Sequence, residues 1–356
     1  MQINVLSERL KYRNDLLVQG LSNIQIETKH SFEKKINEKI YNFEDCDCFC
    51  GYRNDILLAD RDWFGLYYPI VICKECGLIR ANPRLDFLSY KEFYDNEYRK
   101  LYGEGDVEKN ILWEQKVAQG QGVFDYIIPK LPSNIKVVYE IGCNMGSTLS
   151  VFKTENFEVA GVDFGSENIE YGRRISGIDD LFVGGIPELL KKKSEKSADL
   201  VILNHVFEHL LDLEKELLDI RSLLRPGGYL FISVPGTFWW IKNICKDNIL
   251  GLLQNAHTFQ FSLASLSYVL NCAGFEMVSG DETIRAIFRM DQKFRKRGSP
   301  PKNEYSRIIR YFKQEEAKYA FRLAVLNGIK NLLRKIKMYN YCKQLKEKMA
   351  NLHNLF

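Results

Sequence analysis

Short apolar segments alternate with helical patterns through the middle of the chain, and this alternation constrains the fold more than any other feature. Strands are expected at residues 136–141, 158–163, 181–183, 198–204 and 228–234, with helical segments between them. A further helix at 262–273 and strands at 275–278 and 284–290 follow. This pattern predicts an α/β protein with a doubly wound, mostly parallel seven-stranded sheet and helices on both faces.

A glycine loop follows the first predicted strand. Gly142 and Gly146 allow the backbone to turn tightly and to approach a ligand closely. Asn144 lies between them and tolerates a positive φ better than most residues. Asp163 ends the second strand about 20 residues farther on, where a carboxylate can accept hydrogen bonds from both hydroxyls of a ribose. The loop and the acid together indicate a nucleoside cofactor.

Three segments have the order and spacing of family motifs: 139–146 (YEIGCNMG), 198–209 (ADLVILNHVFEH) and 224–235 (LRPGGYLFISVP). They resemble the motifs of class I S-adenosylmethionine-dependent methyltransferases, and the resemblance covers about residues 110–290. It implies a Rossmann-like methyltransferase fold with S-adenosylmethionine as cofactor. The residues that it places against the cofactor are Glu140, Gly142, Cys143, Asn144, Gly146, Asp163, Phe164, Asn204 and His205.

Within that set, the resemblance puts the glycine loop against the methionine part of the cofactor. Asp163 would hold the ribose, Phe164 would flank the adenine, and Asn204 and His205 would close the site from the fourth strand. The segment 183–186 (VGGI) departs from the family pattern, because it lacks the acid that many relatives use near the adenine amine.

Histidines follow the fourth strand and the fifth, where ligands gather in doubly wound sheets. His205 and His257 are the candidate bases, since an imidazole can take a hydroxyl proton at neutral pH. Glu208 and His209 are expected to support the site. His205 to His209 also spells H-x-x-E-H, the inverted zinc-peptidase signature. We reject that interpretation because the signature needs both histidines within a helix, whereas His205 directly follows a strand.

Five cysteines between residues 46 and 76 indicate a metal site, since no signal peptide points to a disulfide-forming compartment. Two knuckles, CDCFCG at 46–51 and CKECG at 73–77, supply the ligands of a closed, structural Zn²⁺ site. We expect the ligands to be Cys48, Cys50, Cys73 and Cys76, with Cys46 as the alternate to Cys48.

The segment 76–83 (CGLIRANP) and the aromatic residues after it resemble the zinc-binding domain ahead of carbohydrate-modifying methyltransferases. The resemblance implies a sugar acceptor, either a nucleotide sugar or a surface glycan. Tyr94 and Tyr98 would then either wall the acceptor pocket or form an aromatic core. O-methylation is favoured over C-methylation. Sugar C-methyltransferases usually carry a further large C-terminal domain, whereas a short helical extension is expected at that place in this chain.

Residues 302–356 carry 13 Lys or Arg against 4 Asp or Glu, although the whole chain has a net charge of only +4. Apolar residues at helical spacing predict a basic amphipathic helix there. We interpret its basic face as solvated, and the alternatives are peripheral membrane contact and RNA binding. The second hypothesis for the function is accordingly an RNA-binding or RNA-methylating protein. We do not expect a nucleic-acid partner, because the fourth strand lacks the element that enzymes methylating nucleic-acid amines use.

The expected organisation has four parts: an extension at 1–40, a zinc-binding module at 41–105, a methyltransferase domain at 106–292 and a basic helical extension at 293–356. Neither a signal peptide nor a membrane span is expected, which predicts a cytoplasmic protein. The apolar segment 235–261 is interpreted as a lid, a dimer contact or a membrane-surface patch, and the sequence leaves these alternatives and the oligomeric state open.

Overall fold

The computed structural model describes residues 6–13, 18, 20–103, 108–291 and 298–335. Its N-terminal part begins with a 3₁₀ turn at Glu8–Leu10 and helix α1 (Asn23–Asn37). Ser22 and Gln25 form a capping box that fixes the start of α1. The strands are β1 (Phe43–Glu44), β2 (Asp55–Arg61), β3 (Tyr67–Cys73), β4 (Ile79–Ala81) and β5 (Arg84–Leu85), and helices α2 (Phe87–Asn96) and α3 (Tyr98–Tyr102) follow them.

Strands and helices alternate in the central part, as the sequence predicts. In chain order they are α4 (Lys109–Ile127), β6 (Val137–Ile141), α5 (Ser147–Thr154), β7 (Glu158–Asp163), α6 (Ser166–Ser176), β8 (Leu181–Val183), α7 (Ile186–Lys192), β9 (Ala198–Asn204), α8 (Leu213–Leu223) and β10 (Leu224–Ser233). The last elements are α9 (Thr237–Asn243), β11 (Phe259–Gln260), α10 (Leu263–Cys272), β12 (Phe275–Ser279), β13 (Arg285–Met290) and α11 (Glu304–Lys335).

The central sheet has seven strands in the order β12-β13-β10-β9-β6-β7-β8. The five strands from β10 to β8 are parallel, while β13 runs antiparallel to both β10 and β12. This confirms the predicted Rossmann-like, mostly parallel sheet. The chain leaves β6 for β7 on one side and later returns to β9 on the other, which makes the gap between β6 and β9 a topological switch point.

Strand β10 differs from its predicted range, because it begins at Leu224 and not at 228. Leu224 pairs with Ala198, and the register shifts before Tyr229 pairs with Leu200. Pro226 and Gly227 lie between these two pairs. In the sequence alone these residues indicate the end of a helix, so the strand was predicted to begin after them.

Alternate residues of β9 supply two separate cores. Leu200 and Ile202 pack in the cluster that includes Phe152 of α5, whereas Val201 and Leu203 pack in the cluster on the other face. Both faces are buried because helices cover both sides of the sheet, which explains the uninterrupted apolar run in this strand.

A second sheet joins the cysteine region to the central part. Its order is β11-β4-β3-β2, and β11 pairs with β4 through Phe259 opposite Arg80 and Gln260 opposite Ile79. The module predicted at 41–105 therefore shares its sheet with a strand from the predicted methyltransferase domain.

The apolar segment after β10 is largely buried against this second sheet. Its core residues pack with Ile70 and Ile72 of β3 and with Ile308 and Phe312 of α11, and they are Ile241, Ile249, Leu250, Leu252 and Leu253. These five side chains form a core contact within the chain, which is none of the three alternatives left open by the sequence.

Helix α11 contains the first part of the predicted basic extension. Its N-terminal half is held by Arg9, which donates to both carboxylate oxygens of Glu316 at 2.6 Å. The later turns expose apolar side chains, among them Phe321 and Leu332. Residues 336–356 of the predicted extension lie outside the described residues. No helix in the described part of the chain has an apolar stretch long enough to cross a bilayer.

Candidate active site and cysteine cluster

The glycine loop after β6 has three residues with positive φ: Gly142 at 70°, Asn144 at 50° and Gly146 at 73°. A Cβ on Gly142 would lie 2.3 Å from Cγ2 of Val206, which belongs to the loop after β9. The turn therefore requires glycine at 142 for two reasons, its left-handed backbone and the close approach of a neighbouring loop.

Asp163 is linked directly to this loop. Its Oδ2 accepts a hydrogen bond from the Asn144 N–H at 2.9 Å, and its Oδ1 accepts one from the Gly165 N–H at 2.7 Å. Each oxygen has more than one acceptor position, so the half-buried carboxylate retains capacity for a ligand. The adjacent Phe164 side chain is 80% exposed, which is unusual for a phenyl ring. An acid beside an uncovered aromatic ring fits the ribose and adenine of a nucleoside.

Glu140 and Cys143 have the most deeply buried side chains of the predicted cofactor set. Burial raises the pKa of Glu140 to about 8; the hydrogen bond with Thr148 opposes this rise and the charge of Asp163 adds to it. Within the described residues, Oε2 of Glu140 has no hydrogen-bond partner. The Cys143 side chain is buried and points toward Gly161, so only the backbone of Cys143 is available to a ligand at the glycine loop.

Asn204 ends β9, and His205 directly follows it at the carboxyl edge of the sheet. The φ of His205 is 56°, a left-handed value that few residues other than glycine adopt. Its backbone N–H donates to the Ser233 carbonyl at 2.8 Å, which fixes the turn. The side chain is 49% exposed, and its Nδ1 lies 3.5 Å from Oε1 of Glu208. The turn thus presents an accessible imidazole beside a carboxylate.

Glu208, His209 and His257 form a buried cluster next to His205, and their candidate ligand atoms all lie within 4.8 Å of one another. Burial alone would raise the pKa of Glu208, but the nearby His205 ring and the neighbouring imidazoles of His209 and His257 lower it below its usual value. Burial lowers the pKa of His257 to about 3. The charge of His209 adds to this effect, and the charge of Glu208 opposes it. His257 is therefore a neutral, enclosed imidazole.

The H-x-x-E-H peptidase interpretation needs both histidines on a helix, and the structure does not provide this. His205 precedes a 3₁₀ turn at Phe207–His209, and it is not a member of the buried cluster.

Tyrosines from the N-terminal part hold the histidine region in place. The Tyr90 hydroxyl lies 2.7 Å from the Ala256 carbonyl and 3.0 Å from the His209 carbonyl, and its single hydrogen is shared between these two acceptors. The Tyr94 hydroxyl lies 2.6 Å from Nδ1 of His209, and Tyr94 stacks on Tyr98 with ring centroids 4.6 Å apart. Sequence reasoning missed these contacts. Their only signal was the four-residue spacing of tyrosines from 90 to 102, which places them on one helical face.

Four of the predicted metal ligands are brought together. Sγ of Cys48 lies 3.5 Å from Sγ of Cys76, and Sγ of Cys50 lies 3.6 Å from Sγ of Cys73. These separations are far longer than the ~2.05 Å of a disulfide. They are close to the roughly 3.8 Å between sulfurs around a tetrahedral Zn²⁺ with bonds of about 2.3 Å.

Cys46, the alternate ligand, lies outside this cluster, because its thiol faces the Ala81 carbonyl at 3.5 Å. Gly51 and Gly77 follow the last cysteine of each knuckle with φ of 83° and 73°. Their N–H groups donate to the carbonyls of Cys48 and Cys73 at 2.7 and 3.0 Å, respectively, which closes each turn. The cluster fits a four-thiolate metal site.

Comparison with known proteins identifies the central part of the chain. Residues 113–280 match the family model described as a methyltransferase domain. A probable S-adenosylmethionine-dependent methyltransferase of Mycolicibacterium smegmatis is 28% identical over 140 residues, which are 39% of this chain and 52% of that protein. Malonyl-[acyl-carrier protein] O-methyltransferase 2 of Coxiella burnetii is 33% identical over 90 residues, 25% of this chain and 32% of that protein.

A third relative, the ubiquinone biosynthesis O-methyltransferase of Rickettsia canadensis, is 24% identical over 135 residues, which are 36% of this chain and 55% of that protein. The matched part of the chain spans about half or less of each of these relatives. The match to the family model confirms the prediction of a methyltransferase domain in the middle of the chain.

Proposed function

We propose that this chain, through its methyltransferase domain, transfers the methyl group of S-adenosylmethionine to a hydroxyl of a sugar. The observation that carries the cofactor assignment is the link between the glycine loop and Asp163. Gly142, Asn144 and Gly146 would hold the methionine part, Asp163 the ribose and Phe164 the adenine, with Glu140, the Cys143 backbone, Asn204 and His205 completing the contacts. The bound cofactor would supply an already activated methyl group, so the protein's task is to orient the acceptor and to accept a proton.

His205 is the proposed base. Its side chain is half exposed at the carboxyl edge of the sheet, where an acceptor can approach it, whereas the His257 ring is almost completely enclosed. Glu208 lies beside Nδ1 of His205, so a hydrogen on Nδ1 would leave the Nε2 lone pair to take the acceptor's proton. His257, the other predicted base, has less support in this role because no acceptor can reach a buried ring directly.

The proposal includes a structural Zn²⁺ held by Cys48, Cys50, Cys73 and Cys76. Four protein ligands leave no open position, so this ion would stabilise the N-terminal sheet and take no part in the chemistry. Because β11 adds to that sheet two residues after His257, such an ion would also stabilise the segment that carries His257. Reduced thiols at this site are consistent with the cytoplasmic location that we propose.

The sugar acceptor is proposed on the resemblance of the cysteine region to the zinc-binding domain of carbohydrate methyltransferases. The relatives named as O-methyltransferases support transfer to oxygen. Tyr94 contacts His209 through its hydroxyl, which places the N-terminal part of the chain next to the candidate site.

The test uses purified full-length protein, S-adenosylmethionine labelled in its methyl group, and separate pools of nucleotide sugars, surface glycans and RNA. Label in a sugar pool, released by conditions that cleave methyl ethers, supports sugar O-methylation. Label on a sugar carbon would indicate a C-methyltransferase, and label in RNA would overturn the sugar assignment in favour of a nucleic-acid acceptor.

A further inference from the structure

The carboxylate of Glu208 is buried without a hydrogen-bond donor among the described residues. Its side chain is only 2% exposed, and neither carboxylate oxygen accepts a hydrogen bond from the described residues. Its nearest basic neighbours are Nδ1 of His205 at 3.5 Å and Nε2 of His209 at 4.0 Å. Burying an unpaired carboxylate is strongly unfavourable, and proteins compensate by placing a cation beside it.

His209 is oriented as a metal ligand would be. Its Nδ1 lies 2.8 Å from the Ala256 carbonyl, which can only accept, so Nδ1 carries the hydrogen and Nε2 carries the lone pair. The Nε2 atom lies on the Glu208 side of the ring. Metal-binding histidines usually donate their other N–H to a carbonyl or a carboxylate in this manner, which fixes the tautomer. The Tyr94 hydroxyl, 2.6 Å from Nδ1, further restrains the ring.

We infer that Glu208, His209 and His257 bind a divalent transition-metal cation such as Zn²⁺, at a second metal site distinct from the cysteine cluster. Two imidazoles and one carboxylate are a common ligand set for catalytic Zn²⁺ and leave a position open. The candidate ligand atoms already lie within 4.8 Å of one another, so shifts of about 1 Å in each would bring them to bonding distance.

The open position gives this site a role in the proposed methyl transfer, and this part of the inference rests on the proposed function. Nδ1 of the accessible His205 lies 3.5 Å from Oε1 of Glu208, so a cation bound by Glu208 would be open to an acceptor hydroxyl from the His205 side of the cluster. The cation would polarise the hydroxyl oxygen and lower the pKa of the hydroxyl. In the transfer, the acceptor oxygen bonds to the methyl carbon, the sulfur–methyl bond breaks with its electron pair remaining on sulfur, and the hydroxyl proton passes to His205.

The decisive experiment measures bound metal in the full-length protein after loading with Zn²⁺ and removal of free ion. Wild-type protein is expected to hold two ions per chain, and Glu208→Gln and His209→Gln are expected to hold one. His30→Gln, which changes an exposed histidine of α1, is the matched control and should retain two. One ion in the wild-type protein, or two in both cluster variants, overturns the inference.

A second measurement on wild-type protein does not depend on the folding of any variant. Co²⁺ bound by four thiolates produces an intense sulfur-to-metal charge-transfer band, whereas Co²⁺ bound by two imidazoles and a carboxylate gives only weak visible bands. A titration should show the charge-transfer band saturating at one equivalent and a weak band growing over the next equivalent. Saturation of every band at one equivalent contradicts a second site.

Failure of the proposed function would have a different signature from failure of this inference. If S-adenosylhomocysteine does not bind while two metal ions do, the methyltransferase proposal fails and the metal site remains. If the cofactor product binds and only one ion is found, the metal site fails and the methyltransferase proposal remains. When both hold, the loss of the second ion should lower methyl transfer about 100-fold or more and leave cofactor affinity nearly unchanged.

Discussion

The carboxylate of Asp163 accepts a hydrogen bond from the backbone N–H of Asn144, with 2.9 Å between the two atoms. This contact joins the ends of two adjacent parallel strands, β6 and β7, at the carboxyl edge of the sheet. It makes the acid and the glycine loop one unit, so a change in either should affect the binding of the same ligand.

Gly142→Ala should impair both folding and cofactor binding. Alanine at φ 70° is strained, and its Cβ would collide with Val206 at 2.3 Å. We expect a loss of about 1–3 kcal/mol in the free energy of unfolding and at least a tenfold weaker affinity for S-adenosylhomocysteine. Denaturant unfolding and calorimetry measure the two effects. The control is Gly122→Ala in α4, where a Cβ meets nothing within 4 Å. If the two variants behave alike, the proposed constraint at Gly142 is absent.

Glu140→Gln should change the pH dependence of stability. The pKa of Glu140 is raised from its ordinary 4.5 to about 8 in the folded protein without cofactor. Between these values the folded state retains a proton that the unfolded state has lost, so this group's contribution to stability is lost as the pH rises toward 8.

The slope from this one carboxyl approaches about 1.4 kcal/mol per pH unit within that window. Glutamine does not titrate, so the variant should show a flatter profile and a higher free energy of unfolding near pH 8 than the wild-type protein. Unfolding curves measured across the window provide the test. Parallel profiles for the two proteins would mean that Glu140 is not protonated in the fold.

His205→Gln should reduce catalysis far more than it weakens cofactor binding. Removing a general base typically costs roughly 100- to 10,000-fold in rate. We therefore expect kcat with the identified acceptor to fall by that amount, while the Kd for S-adenosylhomocysteine rises by no more than about tenfold, because His205 is only one of several cofactor contacts. His30→Gln again serves as the control. A kcat close to the wild-type value would remove His205 from the role of base.

Cys48→Ser and Cys46→Ser should differ sharply in metal content. Only Cys48 has its sulfur within the four-thiolate cluster, whereas the Cys46 thiol faces the Ala81 carbonyl. A mercurial reagent that attacks thiolates should release one Zn²⁺ per chain from the wild-type protein and from Cys46→Ser. Cys48→Ser should release much less. The reverse order would make Cys46 the fourth ligand.

Several strands were predictable because their local pattern and their tertiary environment agree. Strand β7 has the predicted range, since its apolar run ends at an acid and its residues pair with both β6 and β8. The glycine loop was predictable for a similar reason, because a required left-handed φ selects glycine or asparagine locally.

Other features depend on contacts between distant parts of the chain and leave little local signal. Strand β11 has only two residues, and it is a strand because Phe259 and Gln260 meet the edge of β4. Similarly, the contact between Tyr94 and His209 joins residues 115 positions apart. The sequence indicated an aromatic run and a histidine motif, but it could not show that one supports the other.

Calorimetric titration of the wild-type protein with S-adenosylhomocysteine, in parallel with Asp163→Asn, tests the central claim most directly. An amide has only one acceptor oxygen, so it cannot accept both loop N–H bonds and hold a ribose as the carboxylate does. We predict saturable binding to the wild-type protein and about 10- to 100-fold weaker binding to the variant, the range expected for a lost charged hydrogen bond. Absence of binding to folded wild-type protein, together with tight binding of a nicotinamide dinucleotide, would contradict the account.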